Sequence, residues 1–559
     1  MKDSRTLPKV MPFDPEVLEL GKPTMKQRVY YEAYGEKGTV AGVGRIPEFD
    51  VSVVSRAIRW LQSKALDAGW VPKGQVEADK RVVKKNLSLI DKKLKNKVSI
   101  YVITWAQNAT PVHDGFLESL KTYCEHNGAV LLVIAGRYRN PTSQWTQAQQ
   151  DHEYWVDEVA PYLIDARKDL NENLIIMGDI KTQPTAVSPL SGFETITTHK
   201  TGIFGHPKVE LKSIATPQND LPKLLVTTGS VTERNYTDTK AGQKSSFHHT
   251  FGATVIEIQG EAFHMRQINA TEEGGFIDLE TEYKPGKVSE AGRPLGLVLG
   301  DVHADFVDPV CEKITFFDKD GIINTLNPEK VVFHDWYDGY SGSHHHEGKI
   351  FTQYAKHHSR RNNVEYEINR TFEKTLEWVK PGIEYYIVDS NHNQHLVTWL
   401  EKCNPKIDPE NAAFYHHVMS KMLPQTTMGE GGAEFPNPLQ LLADEKLNLP
   451  NLHFLTSTDK LMIGDVDCSQ HGNKGANGAR GGVRPFSLIG VKTITGHGHG
   501  PHIMGGHYRV GTNSMLNLEY VEGLSSWLHT DCVIYANGKR SLIHKIDGCW
   551  RAKRRRKVA

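Results

Sequence analysis

"LVLGDVHADF", residues 297–306, runs from a short apolar stretch into Gly300 and then sets Asp301 and His303 one residue apart. Leu297, Val298 and Leu299 predict a buried strand that ends at the glycine. On an extended chain residues i and i+2 point the same way, so both polar side chains can reach one ion. A single D-x-H is a weak signal, and its recurrence decides the fold. "KVVFHDWYDG" (330–339) is another apolar run, ending in Asp335, and "EYYIVDSNHNQH" (384–395) ends in Asn391 and His392. The amphipathic stretch "VEYEINRTFEKTLEWV" separates those two. "DKLMIGDVDCSQHG" (459–472) leads to His471, and "VKTITGHGHG" (491–500) to His497 and His499. Apolar strands alternating with helices predict an α/β sheet, and ligands of such sheets gather beyond the carboxyl ends of the strands.

This series resembles the calcineurin-like metallophosphoesterase superfamily, whose pattern is D-x-H, G-D, G-N-H-[DE], H and G-H-x-H. The resemblance covers roughly residues 295–505 and is complete at Gly496-His497-Gly498-His499. It implies one metal held by Asp301, His303, Asp335 and His499, and a second held by Asp335, Asn391, His471 and His497. Asp335 would bridge them, and the glycines would keep the space around the imidazoles clear. His392 would be catalytic, stabilising or protonating the leaving oxygen. Three positions depart from the pattern: His334 and Ser390 stand where the family has glycine, and Asn393 where it has an acidic residue that orients the histidine. Asp338 and His395 are the nearby candidates for that task. His453 competes with His471, but it begins an apolar run rather than ending one. Carboxylate, amide and imidazole ligands suit two divalent ions, manganese first, with iron or zinc as alternatives.

The whole chain has 559 residues, too long for one core, so about two to four domains are expected. The expected fold is α/β: a C-terminal metallophosphoesterase β-sandwich flanked by helices (291–559, with a basic tail), an α/β domain of unknown role (97–290), a charged linker or exposed helix (73–96) and a helical domain (1–72). In the last, "TMKQRVYYEAYGEKG" and "DVSVVSRAIRWLQSKALDAG" read as helices capped by Thr24 and Asp50, with a short helix between. The order resembles small helix-turn-helix domains of phage and bacterial DNA-binding proteins, which implies DNA contacts at Arg56 and Arg59. A helical domain used for packing or assembly has the same pattern. In the middle region "VSIYVITWA" and "AVLLVIAGR" flank a helix, a βαβ signal. His206, His248 and His249 there are read as structural.

Lys+Arg and Asp+Glu both number 66, so no global charge draws the chain to nucleic acid, and any attraction must be local. One such patch is the tail, Lys553 to Lys557, with Arg554, Arg555 and Arg556 as DNA-binding candidates. Another is "KHHSRRNN" (356–363), whose basic residues could hold a phosphate backbone, while the histidine run His344–His346 fits substrate contact or an accessory metal. Each of these patterns also fits a solvated surface. The six cysteines form no CxxC pair, which fits reduced thiols in a cytoplasm. No apolar run approaches the roughly 18–20 residues of a membrane helix, so no membrane partner is expected.

These features give a hydrolase reading with DNA as partner, in a chain compatible with a homo-oligomer. The ligands resemble those of SbcD-type repair nucleases, and the combination of parts resembles phage-encoded DNases that degrade host DNA early in infection. A protein or small-molecule phosphatase fits the same ligands, and a non-enzymatic DNA-binding protein fits the departures.

Overall fold

Leu297 and Leu299 point to one side of their strand and Val298 to the other, and all three are fully buried. The strand Lys330–Phe333 repeats this, with Val331 and Phe333 on one face and Val332 opposite. Strands buried on both faces belong inside a layered α/β fold. The computed structural model, which describes residues 13–37, 40–43, 46–70, 75–77, 80–93, 99–138, 154–217, 220–518, 521 and 523–552, has that mixed α/β architecture.

A six-stranded sheet runs in the order Leu452–Phe454, Glu384–Ile387, Lys330–Phe333, Gly296–Val298, Thr530–Ile534, Arg540–His544. The first four strands are parallel, and the last two form an antiparallel hairpin beside them. Helices Val364–Trp378, Gln394–Lys402, Ala412–Met422 and Pro438–Lys446 cover one face. There Leu297, Leu299, Val331, Phe333, Tyr385 and Ile387 meet Phe372, Trp378, Leu396 and Phe414. Each such side chain contributes about 1.5–3 kcal/mol by leaving water.

The other face, with Val298, Val332, Cys532 and Ile534, shares a core with two further sheets. One has ten strands: Met462–Ile463, Val466–Asp467, Lys492–Thr495, His507–Arg509, His502–Met504, Glu210–Ile214, Lys223–Thr227, Thr201–Phe204, Leu174–Met177 and Arg167–Asn171. His502–Met504 pairs directly with Glu210–Ile214, so the segments expected as separate units at 97–290 and 291–559 are joined through one sheet. Periodicity marks each strand but carries no information about its partner, which is why a boundary near 290 looks natural in the sequence. The third sheet, Ala262–Asn269, Gly252–Gln259, Ser99–Gln107, Val130–Gly136, Leu163–Ile164, contains the expected βαβ unit around helix Asp114–Asn127.

At the N-terminus, helices Met25–Lys37, Val40–Val43 and Val51–Asp67 enclose a core of their own, with Tyr31, Val54, Ile58, Leu61 and Trp70. Asp50 caps the last helix by accepting from the Ser52 and Val53 amides. Of the two readings of the charged segment after it, a linker or an exposed helix, its described residues carry a helix. This helix, Lys80–Lys93, buries Ile90 and donates from Asn86 Nδ2 to the Pro161 and Leu163 carbonyls, both at 2.9 Å. Its lysines mask an apolar stripe at helical spacing. All six cysteines are free thiols, and among the described residues no helix is long and apolar enough to cross a membrane.

Candidate metal centre

The centre is built on two turns that follow adjacent parallel strands. After Gly296–Val298 the chain turns at Gly300, where a Cβ would lie 2.8 Å from the Thr512 nitrogen and the Thr530 carbonyl oxygen. The Gly300 amide donates to Asp531 Oδ1 (3.0 Å), and the Asp301 carbonyl accepts from Asn513 N (2.7 Å) and Thr512 Oγ1 (2.9 Å). The turn after Lys330–Phe333 zips onto the first: Val302 N donates to the His334 carbonyl (2.9 Å) and His303 N to the Asp335 carbonyl (2.7 Å). The loop after Lys492–Thr495 closes over both, with His497 N donating to Asp301 Oδ1 (3.1 Å). His303, Asp335, His497 and His499 all have positive φ, between 42° and 68°. Left-handed backbone at a non-glycine residue costs about 1–3 kcal/mol and persists where the surroundings over-determine it.

These turns aim the polar tips at one point. Asp301, His303, Asp335 and His499 are buried, and one ligand atom from each lies within 4.8 Å of all the others. His499 Nε2 is 2.9 Å from Asp301 Oδ2, and His303 Nε2 is 3.4 Å from His499 Nε2 and 3.6 Å from Asp335 Oδ2. Beside this group, His471 Nε2 lies 3.3 Å from Asp335 Oδ2, and His497 Nδ1 lies 3.1 Å from Asn391 Oδ1. The His471 and His497 rings are 5.2 Å apart. Asp335 therefore touches both sets. His453, by contrast, sits on the sheet-edge strand and pairs with Glu384 at 2.7 Å.

The donors suit a cation. Both Asp335 carboxylate oxygens, Asp301 Oδ2, His471 Nε2 and His499 Nδ1 are buried with no aligned hydrogen-bond partner. The short His499–Asp301 and His471–Asp335 approaches lack the alignment of good hydrogen bonds. Oxygen and imidazole donors converging in a buried space fit a divalent ion.

The protonation pattern agrees. Burial pushes the Asp301 carboxyl up, but His471 and His499 beside it hold it down at about 2. Burial of Asp335 is likewise outweighed, by His471 and His392, and its carboxyl lies well below the usual range. Burial lowers His303, yet the Asp338 hydrogen bond and the Asp335 charge bring it up to about 9. His471 is also raised: burial lowers it, and Asp335 and Asp301 outweigh that. Burial pushes His497 down to about 4 and lowers His499 as well. Protons on His303 and His471 thus balance two buried carboxylates, a balance a bound cation would replace by releasing them.

His392 lies beside this group. Its Nδ1 donates to the Asp338 carbonyl (2.7 Å), which fixes the proton there and leaves Nε2 as its acid–base face. Its ring packs edge-on against His303, 4.4 Å between centroids. Asn393, at the position of the family's acidic residue, serves the loop instead: its Oδ1 accepts from Tyr337 N and its Nδ2 donates to the Val388 carbonyl. Ser390 is buried there and accepts from Asn393 N, and the His334 ring packs 5.4 Å from His471. Gly496 and Gly498 do keep space clear, since a Cβ would lie 2.1 Å from Asp301 Oδ1 and 2.4 Å from the Arg509 guanidinium respectively.

Sequence reasoning missed Asp531, Asn513 and Thr512, which brace the D-x-H turn; only their place beside an apolar strand marks them, and that is common. Asp338 serves His392 through its main-chain carbonyl, while its carboxylate holds His303, Oδ1 to Nδ1 at 2.7 Å; His303, Asp338 and His392 form a second group that can hold an ion. Arg56 is exposed on helix Val51–Asp67, and Arg59 Nε donates to the Ser55 carbonyl of the same helix. Arg554, Arg555 and Arg556 lie outside the described residues.

No family model matches the chain, and no solved structure matches it. Among curated proteins, Protein A1 of Escherichia phage T5 is 33% identical over 463 residues, which cover 80% of this chain and 82% of that protein. At that identity and coverage, this chain belongs to the family of phage T5 Protein A1.

Proposed function

We propose that the chain is a metal-dependent phosphodiesterase that hydrolyses DNA at a dinuclear centre, on the plan of the calcineurin-like metallophosphoesterases, with the six-stranded and ten-stranded sheets as its sandwich. One observation carries this reading: Asp301, His303, Asp335 and His499, from the turns after three strands, each bring a ligand atom within 4.8 Å of the others, and His471 Nε2 lies 3.3 Å from Asp335 Oδ2, with orphaned buried donor atoms among them. Asp301, His303, Asp335 and His499 would hold one ion, and Asp335, Asn391, His471 and His497 the other. When bound, two such ions, manganese first by ligand chemistry, lower the pKa of water and neutralise charge on the phosphoryl oxygens. His392 presents Nε2 to the leaving oxygen and delivers a proton there. Asp338 fixes the His303 ring through its carboxylate and the His392 ring through its carbonyl. The kinship with a phage protein supports a phage origin for the chain, and we propose host DNA in the bacterial cytoplasm as its substrate. Arg56, Arg59 and the Arg554–Arg556 tail are proposed DNA contacts.

The test incubates the purified chain with linear and circular duplex DNA in Mn2+, Mg2+ or EDTA. Degradation in metal and none in EDTA is expected. Hydrolysis of an aryl phosphomonoester with intact DNA would move the reading to a phosphatase. Metal binding with neither activity would leave a DNA-binding protein.

A further inference from the structure

Helix Ile350–His358 has its polarity reversed. Its inward side carries Lys356, 3% exposed, whose Nζ donates to the Tyr340 carbonyl at 2.5 Å. Its outward side carries the apolar residues: Ile350 is 74%, Phe351 90% and Tyr354 67% exposed. At about 100° per residue, Ile350, Phe351, Tyr354 and His358 share one arc, with Lys356 well outside it. The Tyr354 and His358 rings lie 4.4 Å apart on that arc. A buried lysine opposite exposed aromatics is a local conflict that folding alone does not explain.

The surroundings of this face are cationic. From His344 to Arg361 the chain has four lysines and arginines, five histidines and a single acid, Glu347. Lys349, His357 and Arg360 are exposed. The helix is also tied to the metal centre. Tyr340 follows Asp338 by two residues, and Arg361 sits 4.4 Å over the ring of Phe306, three residues beyond His303. From His392 the His395 ring is 4.8 Å away, and His344 and His345 are each 6.0 Å beyond that.

We infer that this helix is a platform for single-stranded nucleic acid, with bases stacked on Phe351, Tyr354 and His358 and phosphates held by Lys349 and Arg360. Flat apolar rings between cations match a polyanion that carries flat bases, and stacking of this kind is tolerant of sequence. The inference rests on the phosphodiesterase reading, because the platform would lead a strand toward that centre.

The experiment measures fluorescence anisotropy of a labelled oligothymidylate with the full chain in EDTA, beside turnover of bis(p-nitrophenyl) phosphate in Mn2+. F351A/Y354A removes two exposed rings, and its unfolding midpoint is expected to match wild type. Its oligothymidylate affinity is expected to fall at least tenfold with bis(p-nitrophenyl) phosphate turnover unchanged, and F351W/Y354W is expected to retain affinity. Unchanged affinity in F351A/Y354A overturns the platform, as does a wild type that does not bind the oligomer. A change of oligomeric state by light scattering without a change in affinity also overturns it, in favour of a contact between copies of the chain. Loss of affinity in a protein that hydrolyses nothing upholds the platform and overturns the phosphodiesterase reading instead.

Discussion

The Asp338 carboxylate meets Nδ1 of the fully buried His303 at 2.7 Å. A carboxylate only accepts, so the imidazole carries its proton on Nδ1 and turns Nε2 toward Asp335 and His499. Partners of this kind fix a ligand's tautomer and orientation. D338A is therefore expected to weaken metal affinity about 10–100-fold. D338N, whose amide oxygen still accepts, is expected to lose less. Titration calorimetry with Mn2+ reads both, and equal affinity in wild type and D338A would sink the assignment. Equal loss in the two variants, with one fewer ion bound, would instead make Asp338 itself a ligand.

Gly496 answers a steric demand. A methyl group there would lie 2.1 Å from Asp301 Oδ1 and 3.0 Å from His334 Cβ, both in buried side chains with nowhere to move. G496A is expected to destabilise the chain by about 1–3 kcal/mol, the usual range for an overpacked site. Displacing Asp301 should also lower bound metal, read by elemental analysis after dialysis. Wild-type stability and metal content in G496A would show that the loop does not close on Asp301.

His392 is held by a main-chain carbonyl through Nδ1 and stands outside the tightest donor group, so its removal should spare the metals. H392Q is expected to retain the metal content of the wild type and lose about 10²–10⁴-fold in DNA hydrolysis. A p-nitrophenolate leaving group needs little protonation, so turnover of bis(p-nitrophenyl) phosphate should fall much less. An equal fall on both substrates would mean that His392 acts elsewhere than at the leaving oxygen.

How far the sequence reaches differs from residue to residue. Leu297 to Leu299, Val331 to Phe333 and Tyr385 to Ile387 announce themselves as strands because burial on both faces demands unbroken apolar runs. Asp301, His303, Asp335 and His499 are legible because each ends such a run, and a strand end fixes where a side chain can go. The pairing of His502–Met504 with Glu210–Ile214 leaves no local mark, since strand partners nearly 300 residues apart are chosen by the packed whole. The supports are quieter still. Asp531 is one aspartate at the head of a strand, and its bond to Gly300 exists only once the hairpin Thr530–Ile534 and Arg540–His544 lies beside Gly296–Val298. Glu367 reads as one more polar position on an amphipathic helix, yet it is 3% exposed and holds the loop after Asp338.

That glutamate gives the loop a pH dependence of its own. Glu367 accepts from the Tyr340 amide at 2.9 Å and from the Ser341 amide at 2.8 Å, and from the Ser341 hydroxyl. Burial, reinforced by the Asp338 charge, pushes its carboxyl up to about 7, outweighing those bonds. An unfolded glutamate titrates near about 4.3, so the folded chain holds this proton more tightly. The resulting stability is fully present below that value and is lost as pH rises toward about 7. E367Q cannot titrate. The stability of wild type relative to E367Q, measured by urea unfolding in EDTA, is therefore expected to decline from about pH 4.3 to about 7 and then level off. A difference that stays flat across this window would show that Glu367 titrates in the folded loop at an ordinary pKa, and one that rises with pH would show a carboxyl held below it; either overturns the assignment.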